Sequence, residues 1–156
     1  MTNGEAIGDL ADRVDLAEAE EVVAGKYGHL LPGIPPGDNY LFYTEKRGHP
    51  APLFGWRKRY WSFLLKLDPE QPAPTIQSQP GPYVGPFHWN NRRLRVPEIK
   101  RLQTFPDEHV IVGTRRSAQV QIGNAVPPLL AEHVARALRR GPSSMQLRLG
   151  PMAEAA

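Results

Sequence analysis

Apolar and polar positions follow three different textures along the chain. Over residues 9–26, Leu10, Val14, Ala17 and Glu21 share one helical stripe and Leu16, Ala19 and Val23 another, and this weakly amphipathic spacing, stopped near Gly25 and Gly28, predicts one helix. From Pro32 to Pro97 the helical spacing is lost. Twelve of the 17 prolines fall there, each removing a backbone donor and crowding the preceding turn, which excludes helix interiors. Aromatic and branched runs at residues 40–43 and 60–67 predict strands, with a short third at 75–77. Alternate strand positions face inward, so Trp56, Tyr60 and Trp61 are expected to be core aromatics. Residues 96–103 read as a short helix with Pro97 in its first turn, ended before Phe105 and Pro106. Val126, Leu130, Val134, Ala137 and Leu138 return at helical spacing behind Pro127 and Pro128, with Arg139 and Arg140 where cations favour a helix C-terminus. The predicted fold class is α+β: a proline-rich, mainly β and loop body, then a short helix and a C-terminal helix.

At 156 residues the chain has room for one domain of ordinary size. Glycine and proline make up 31 residues, about a fifth of the chain and below the roughly 25–30% of low-complexity disorder. Cysteine is absent, which rules out disulfides, thiolate zinc sites and a thiol nucleophile supplied by these residues. No run of 18 apolar residues occurs, and the start MTNGEAIGDL has neither a basic beginning nor an apolar signal core, so a cytoplasmic protein is expected. The net charge of +3 conceals a polarity: residues 1–25 hold seven acids and one base, residues 26–156 nine acids and 18 bases. A basic body fits polyanion binding and fits a solvated surface about equally well.

His29, His49, His88, His109 and His133 lack metal-ligand spacing and read as surface or loop residues, so no metal is expected. Neither a G-x-S-x-G elbow nor a glycine-rich phosphate loop is present, and no catalytic residue is assigned. What stands out is RRLRVPEIKRLQTFPD (residues 92–107), followed by QIGNAVPPLLAEHVARAL (residues 121–138). These two blocks, in this order, resemble the end of DNA (cytosine-5-)-methyltransferases of the restriction-modification type. The first is similar to the family's ninth motif, R-x-L-x-x-x-E-x-x-R-L-Q-x-F-P, and the second to its tenth, G-N-x-V followed by a helix. Upstream, Ala73-Pro74-Thr75-Ile76 and Gly81-Pro82 stand where the family's recognition domain carries a Thr-Leu type dipeptide, Ile76 departing from Leu. The resemblance spans about Tyr27 to Arg140.

The resemblance implies an N-terminal helical linker (residues 1–27), a target-recognition region (28–88), a segment packing on the catalytic core (89–140) and a flexible tail (141–156). The last helix would complete a Rossmann-like core. The family's S-adenosylmethionine loop, its P-C-Q and E-N-V motifs and its Q-x-R-x-R segment precede the recognition domain and do not occur here. Methylation at carbon 5 of cytosine requires a thiolate adding to carbon 6, so this chain alone is expected to be inactive. By the same resemblance Asn124, Ala125 and Val126 would close one side of the S-adenosylmethionine site. There Gly123 would allow close backbone approach and the following helix would offer free N–H donors; the competing reading is a turn and cap before an ordinary helix. Arg93, Glu98 and Arg101 are expected to form a salt-bridged scaffold, or else a solvated charged helix. Arg57, Lys58 and Arg59 are candidates for phosphate or guanine-edge contacts, and Thr75 for a backbone phosphate. The partners implied are double-stranded DNA and a catalytic-core polypeptide carrying P-C-Q and E-N-V. A split subunit, a truncated remnant and a non-catalytic DNA-binding module all remain open, and without a core the stripe of the last helix would be exposed.

Overall fold

In the computed structural model, which describes residues 1–140, the helix expected over 9–26 does not form. A short helix α1 (Asn3–Ile7) comes first, with Thr2 and Glu5 exchanging side-chain to backbone hydrogen bonds in a capping box. Three separate 3-10 turns follow, at Gly8–Leu10, Val14–Leu16 and Ala19–Glu21. The reason is distant in sequence. Arg95 donates to the carbonyls of Leu10 and Arg13, and Arg92 to that of Ala11; the Leu10 and Arg13 carbonyls also accept the N–H three residues on, so the arginines tie these tighter turns to the body. The leader is therefore packed against the body, and Ala6 and Ile7 are part of its core.

The proline-rich middle also departs from the expected strands. Residues 40–43 form a 3-10 turn, begun by the buried Asn39 side chain accepting from the Leu41 N–H at 2.9 Å. Residues 60–67 are interrupted at Leu64, whose φ of 53° is incompatible with a pleated strand. What survives of sheet pairing is a set of isolated bridges: Thr44 to Phe54, Phe63 to Val84, Lys66 to Phe87 and Phe87 to Arg93. Residues 75–77 form no strand. Among the described residues the regular elements are helical, and none is long and apolar enough to cross a membrane.

Two apolar clusters hold these pieces. The first joins Leu30, Leu31, Ile34, Tyr40, Tyr43, Phe63, Leu64 and Phe87. Its rings meet edge-on, Tyr27 and Phe63 at 5.4 Å and Tyr40 and Phe63 at 5.9 Å, an arrangement worth about 0.5–1.5 kcal/mol per pair beyond burial. The second joins Ile7, Leu67, Ile76, Leu94, Ile99, Leu102 and Ile122, bringing α1 together with α2 (Val96–Leu102) and α3 (Arg115–Asn124). Helix α2 is the short helix expected from the sequence, with Pro97 in its first turn. Helix α3 was not expected; Thr114 caps it by accepting from the Ser117 N–H, and it buries Ala118 and Ile122, one turn apart. Helix α4 (Pro128–Arg140) is the second expected helix. Of the three aromatics expected in the core, Trp56 is half-buried while Tyr60 and Trp61 are exposed; the tail expected over 141–156 lies outside the described residues.

Candidate functional site

The residues around Glu98 form the most heavily charged part of the interior. Glu98 is fully buried at the start of α2 and takes both arms of the Arg92 guanidinium, at 2.7 and 2.8 Å. It also accepts from the Arg95 backbone N–H at 2.8 Å, which satisfies one of the free donors at the helix start. The expected scaffold is thus re-paired. Glu98 binds Arg92, while Arg93 donates to the Pro82 carbonyl at 2.7 Å and lies over the Phe87 ring. Arg101 is held by Asp9 at 2.6 Å and by both oxygens of Asp107 at 2.8 Å. Hydrogen bonding from Arg101 keeps the Asp107 carboxyl below the usual carboxylate range.

The acidic leader completes this network. Glu21 takes the Arg95 guanidinium at 2.8 Å, which lowers the Glu21 pKa, and Glu18 bridges the Val96 N–H and Arg115, each at 2.8 Å. Sequence reasoning missed Arg92, Arg95, Arg115, Glu18 and Glu21. The signal was present for Arg92, which is the first arginine of the R-x-L-x-x-x-E pattern, one residue before the position singled out.

His88, expected at the surface or in a loop, is fully buried against this knot. Its Nδ1 accepts from the Asn90 N–H at 3.0 Å, so the proton is on Nε2, 3.7 Å from a Glu98 oxygen and without a hydrogen-bond partner. Burial, with the charges of Arg92 and Arg95 nearby, pushes the imidazole pKa down to about 3. The 3.7 Å gap to Glu98 is too long for a hydrogen bond to offset that desolvation, and the ring stays neutral.

The residues expected to meet DNA lie outside the knot. Arg57, Lys58 and Arg59 are exposed in one tight turn, with Arg57 at φ 55° and the Lys58 N–H donating to the Gly55 carbonyl. The guanidinium of Arg57 lies over Trp56, and that of Arg59 over Tyr27 and Phe63. Thr75 is exposed and lines a cleft of about 370 Å3 with Trp61, Ser62, Leu65, Gln77 and Pro86. A second polar cleft of about 450 Å3 is lined by Glu20, Ser78, Arg93, Arg115, Arg116 and Gln119.

Asn124 ends α3, and Ala125 and Val126 lead from it to α4. Gln103 fixes this junction by donating to the carbonyls of Ile122 and Ala125, at 3.2 and 3.1 Å. The expected role of Gly123 changes here. It lies inside the last turn of α3, where an added Cβ would come within 2.5 Å of the Ser78 backbone, so its bareness serves helix packing. The expected free donors at the next helix start are also reduced, because Pro127 and Pro128 have no N–H and that of Leu129 goes to the Thr104 hydroxyl. Asn124 and Val126 are exposed, so residues 124–126 offer one wall of a site, a polar amide beside an apolar branch. Val126, Leu130, Val134 and Leu138 all remain at least half exposed. Among the described residues no group of three or more His, Cys, Asp or Glu is placed to hold a metal ion.

A model of the C-5 cytosine-specific DNA methylase family matches residues 37–140, a stretch that includes every candidate residue expected to meet DNA or cofactor. The type II methyltransferase M.SacI of Streptomyces achromogenes is 52% identical over 139 residues, covering 83% of this chain and 35% of that protein. The type II methyltransferase M.AquIB of a Picosynechococcus species is 41% identical over 93 residues, 52% of this chain and 66% of that protein. The DNA (cytosine-5-)-methyltransferase M.ApeKI of Aeropyrum pernix is 33% identical over 110 residues, 67% of this chain and 22% of that protein. The chain spans about a third of the length of M.SacI.

Proposed function

The chain belongs to the C-5 cytosine-specific DNA methylase family, and from that premise we propose that it is the portion that grips the DNA target and closes one side of the S-adenosylmethionine site. The observation that carries this reading is the division of its charges. The ninth-motif arginines Arg92, Arg95 and Arg101 are consumed by carboxylates in the leader, in α2 and at Asp107 just after it, whereas Arg57, Lys58, Arg59, Thr75 and Asn124 are exposed. The first set organises and the second is free to bind. Arg57, Lys58 and Arg59 would hold phosphates or guanine edges and Thr75 a backbone phosphate, interactions that offset the few kcal/mol needed to unstack a target base. Asn124, Ala125 and Val126 would hold the methionine end of S-adenosylmethionine, which supplies the methyl group. These residues contain no thiol, so the nucleophile that adds to carbon 6 of cytosine is contributed from outside them. Helix α4 completes a Rossmann-like core in the assembled enzyme, and the assembly acts in the cytoplasm.

Among the arrangements that fit, a two-polypeptide enzyme has a specific observation in its favour. The 93 aligned residues make up 66% of M.AquIB, so that relative is itself only about 140 residues long. The test is reconstitution. Purified chain, a polypeptide carrying P-C-Q and E-N-V, and the two mixed are each assayed for transfer of labelled methyl groups to duplex DNA. Transfer is expected from the mixture only; activity of the chain alone, or none from the mixture, overturns the proposal. In the same assembly, replacing Arg57, Lys58 and Arg59 by Gln should flatten the salt dependence of DNA binding by about 0.9 in log–log slope for each phosphate no longer neutralised.

A further inference from the structure

Between Glu45 and Asp68 there is no carboxylate, while Lys46, Arg47, Arg57, Lys58, Arg59 and Lys66 all fall there; Arg47 is paired with Asp38 and Lys66 is buried on the Ile34 carbonyl, which leaves the turn at residues 57–59 with Lys46 as the exposed charge. Within this stretch Tyr60 and Trp61 are 82% and 61% exposed, although their backbone is anything but loose. The buried Tyr40 hydroxyl donates to the Arg59 carbonyl at 2.8 Å and accepts from the Arg59 N–H at 3.1 Å. The buried Asn39 side chain donates to the Trp61 carbonyl at 2.8 Å. Two interior polar groups thus pin the chain on either side of Tyr60, and the two aromatic side chains project from a fixed base. Trp61 is also a wall of the Thr75 cleft, of about 370 Å3, and of a neighbouring cleft of about 250 Å3 shared with Lys66 and Pro74.

Resting on the reading of this chain as the DNA-gripping portion, we infer that Tyr60 and Trp61 form a stacking platform for an unstacked nucleobase of the bound DNA, beside the cleft that Trp61 shares with Thr75. The chemistry fits on three counts. An exposed indole and phenol present flat π surfaces that accept any base, and a pre-fixed backbone removes much of the ordering cost of stacking. The adjacent cationic turn draws a polyanion to that surface, and no carboxylate lines the Thr75 cleft, Asp68 belonging to the neighbouring one. A hydroxyl in the same cleft, Thr75, is placed to take the phosphate of the nucleotide whose base lies on Trp61. Tyr60 and Trp61 are therefore positioning residues for DNA.

The test uses the full 156-residue chain and two short duplexes of mixed sequence, one carrying a single bulged nucleotide, in low salt. The chain is expected to bind the bulged duplex more tightly, with its tryptophan emission quenched. Trp61→Ala and Tyr60→Ala should each lower that affinity about ten-fold, leaving the salt slope unchanged, whereas Trp61→Phe should retain affinity within about two-fold and lose the quench. If the wild-type chain binds both duplexes and loses affinity on charge removal at residues 57–59, but the aromatic variants bind as well as wild type, the platform is wrong and the DNA-gripping reading stands. If no duplex is bound at low salt, both fall. If Trp61 emission instead responds to the catalytic-core polypeptide in the absence of DNA, the surface belongs to a protein contact and the platform is overturned.

Discussion

Glu98→Ala tests the reasoning about the buried knot most directly. The substitution leaves the Arg92 guanidinium, itself only 11% exposed, with its bidentate partner gone, and leaves the Arg95 N–H without its acceptor. Removing one member of a buried pair costs about 3–5 kcal/mol, and the lower end applies here because Glu21 remains 3.6 Å from the Arg92 guanidinium. The orphaned N–H adds about 1 kcal/mol. Against a typical domain stability of about 5–15 kcal/mol this is a large fraction, and the urea midpoint should fall accordingly. Trp89, whose ring centroid is 4.0 Å from that of His88, provides a fluorescence probe beside the site. The control is Arg92→Met combined with Glu98→Leu, which replaces the pair by apolar side chains and should recover most of the loss. If Glu98→Ala costs less than about 1 kcal/mol, or if Arg92→Met and Glu98→Leu made singly sum to the double change within about 0.5 kcal/mol, the pair is not coupled as argued.

Lowering the pH should destabilise the fold before the carboxylates titrate. The folded pKa of His88 is depressed to about 3 from 6.5, so its contribution is complete above 6.5 and is lost as the pH falls toward 3. Between pH 6.5 and 5 that amounts to about 2 kcal/mol, and His88→Asn should flatten this limb in urea titrations at several pH values. Gly123→Ala should destabilise by about 1–3 kcal/mol despite alanine's better helix propensity, since the clash is with Ser78 backbone; an unchanged thermal midpoint would remove the packing role assigned to this glycine. Asn124→Ala in the reconstituted enzyme should weaken S-adenosylmethionine binding with DNA binding largely kept, and calorimetry showing unchanged cofactor affinity would refute that assignment. Leu130→Asp with Val134→Asp should leave the chain's own urea midpoint unchanged, because both side chains are half exposed, yet abolish methyl transfer in the mixture.

How far the sequence was legible depends on whether a residue's partners are near or far along the chain. Helices α2 and α4 could be read because proline in a first turn and apolar spacing are local signals. Helix α3 escaped because it buries little beyond Ala118 and Ile122, so its stripe is too thin to register. The leader misled for the opposite reason. Its helical spacing is real, but Arg92 and Arg95, about 80 residues away, engage its carbonyls. The aromatic runs gave strand signals, yet a left-handed Leu64 and a hydrogen-bonded turn at Asn39 divide them. Glu98 was legible as part of a salt-bridged scaffold but not its partner, since nothing local tells Arg92 from Arg93; His88 read as a surface or loop residue because titratable groups usually are, and nothing local reveals that Asn90 fixes its tautomer in the interior.

The distribution of polarity across the molecule is inverted in a way that separates folding from assembly. Glu98, Arg95, Lys66 and His88 are buried, while Val126, Leu129, Leu130, Val134 and Leu138 face outward. A buried charge is tolerable only when its partners are fixed before a ligand arrives: Arg95 finds them in the chain's own leader, through Glu21 and the carbonyls of Leu10 and Arg13, Glu98 in Arg92, which the leader also holds through the Ala11 carbonyl, and Lys66 in the Ile34 carbonyl. An exposed apolar stripe has the reverse character, since it is costly to the isolated chain and favourable only once covered. The acidic leader therefore serves the chain's own fold, drawing in the ninth-motif arginines and leaving the cationic turn at residues 57–59 unneutralised by it. On this division, disturbing the leader should act first through stability and disturbing α4 first through assembly, because the free energy of each is invested at a different step.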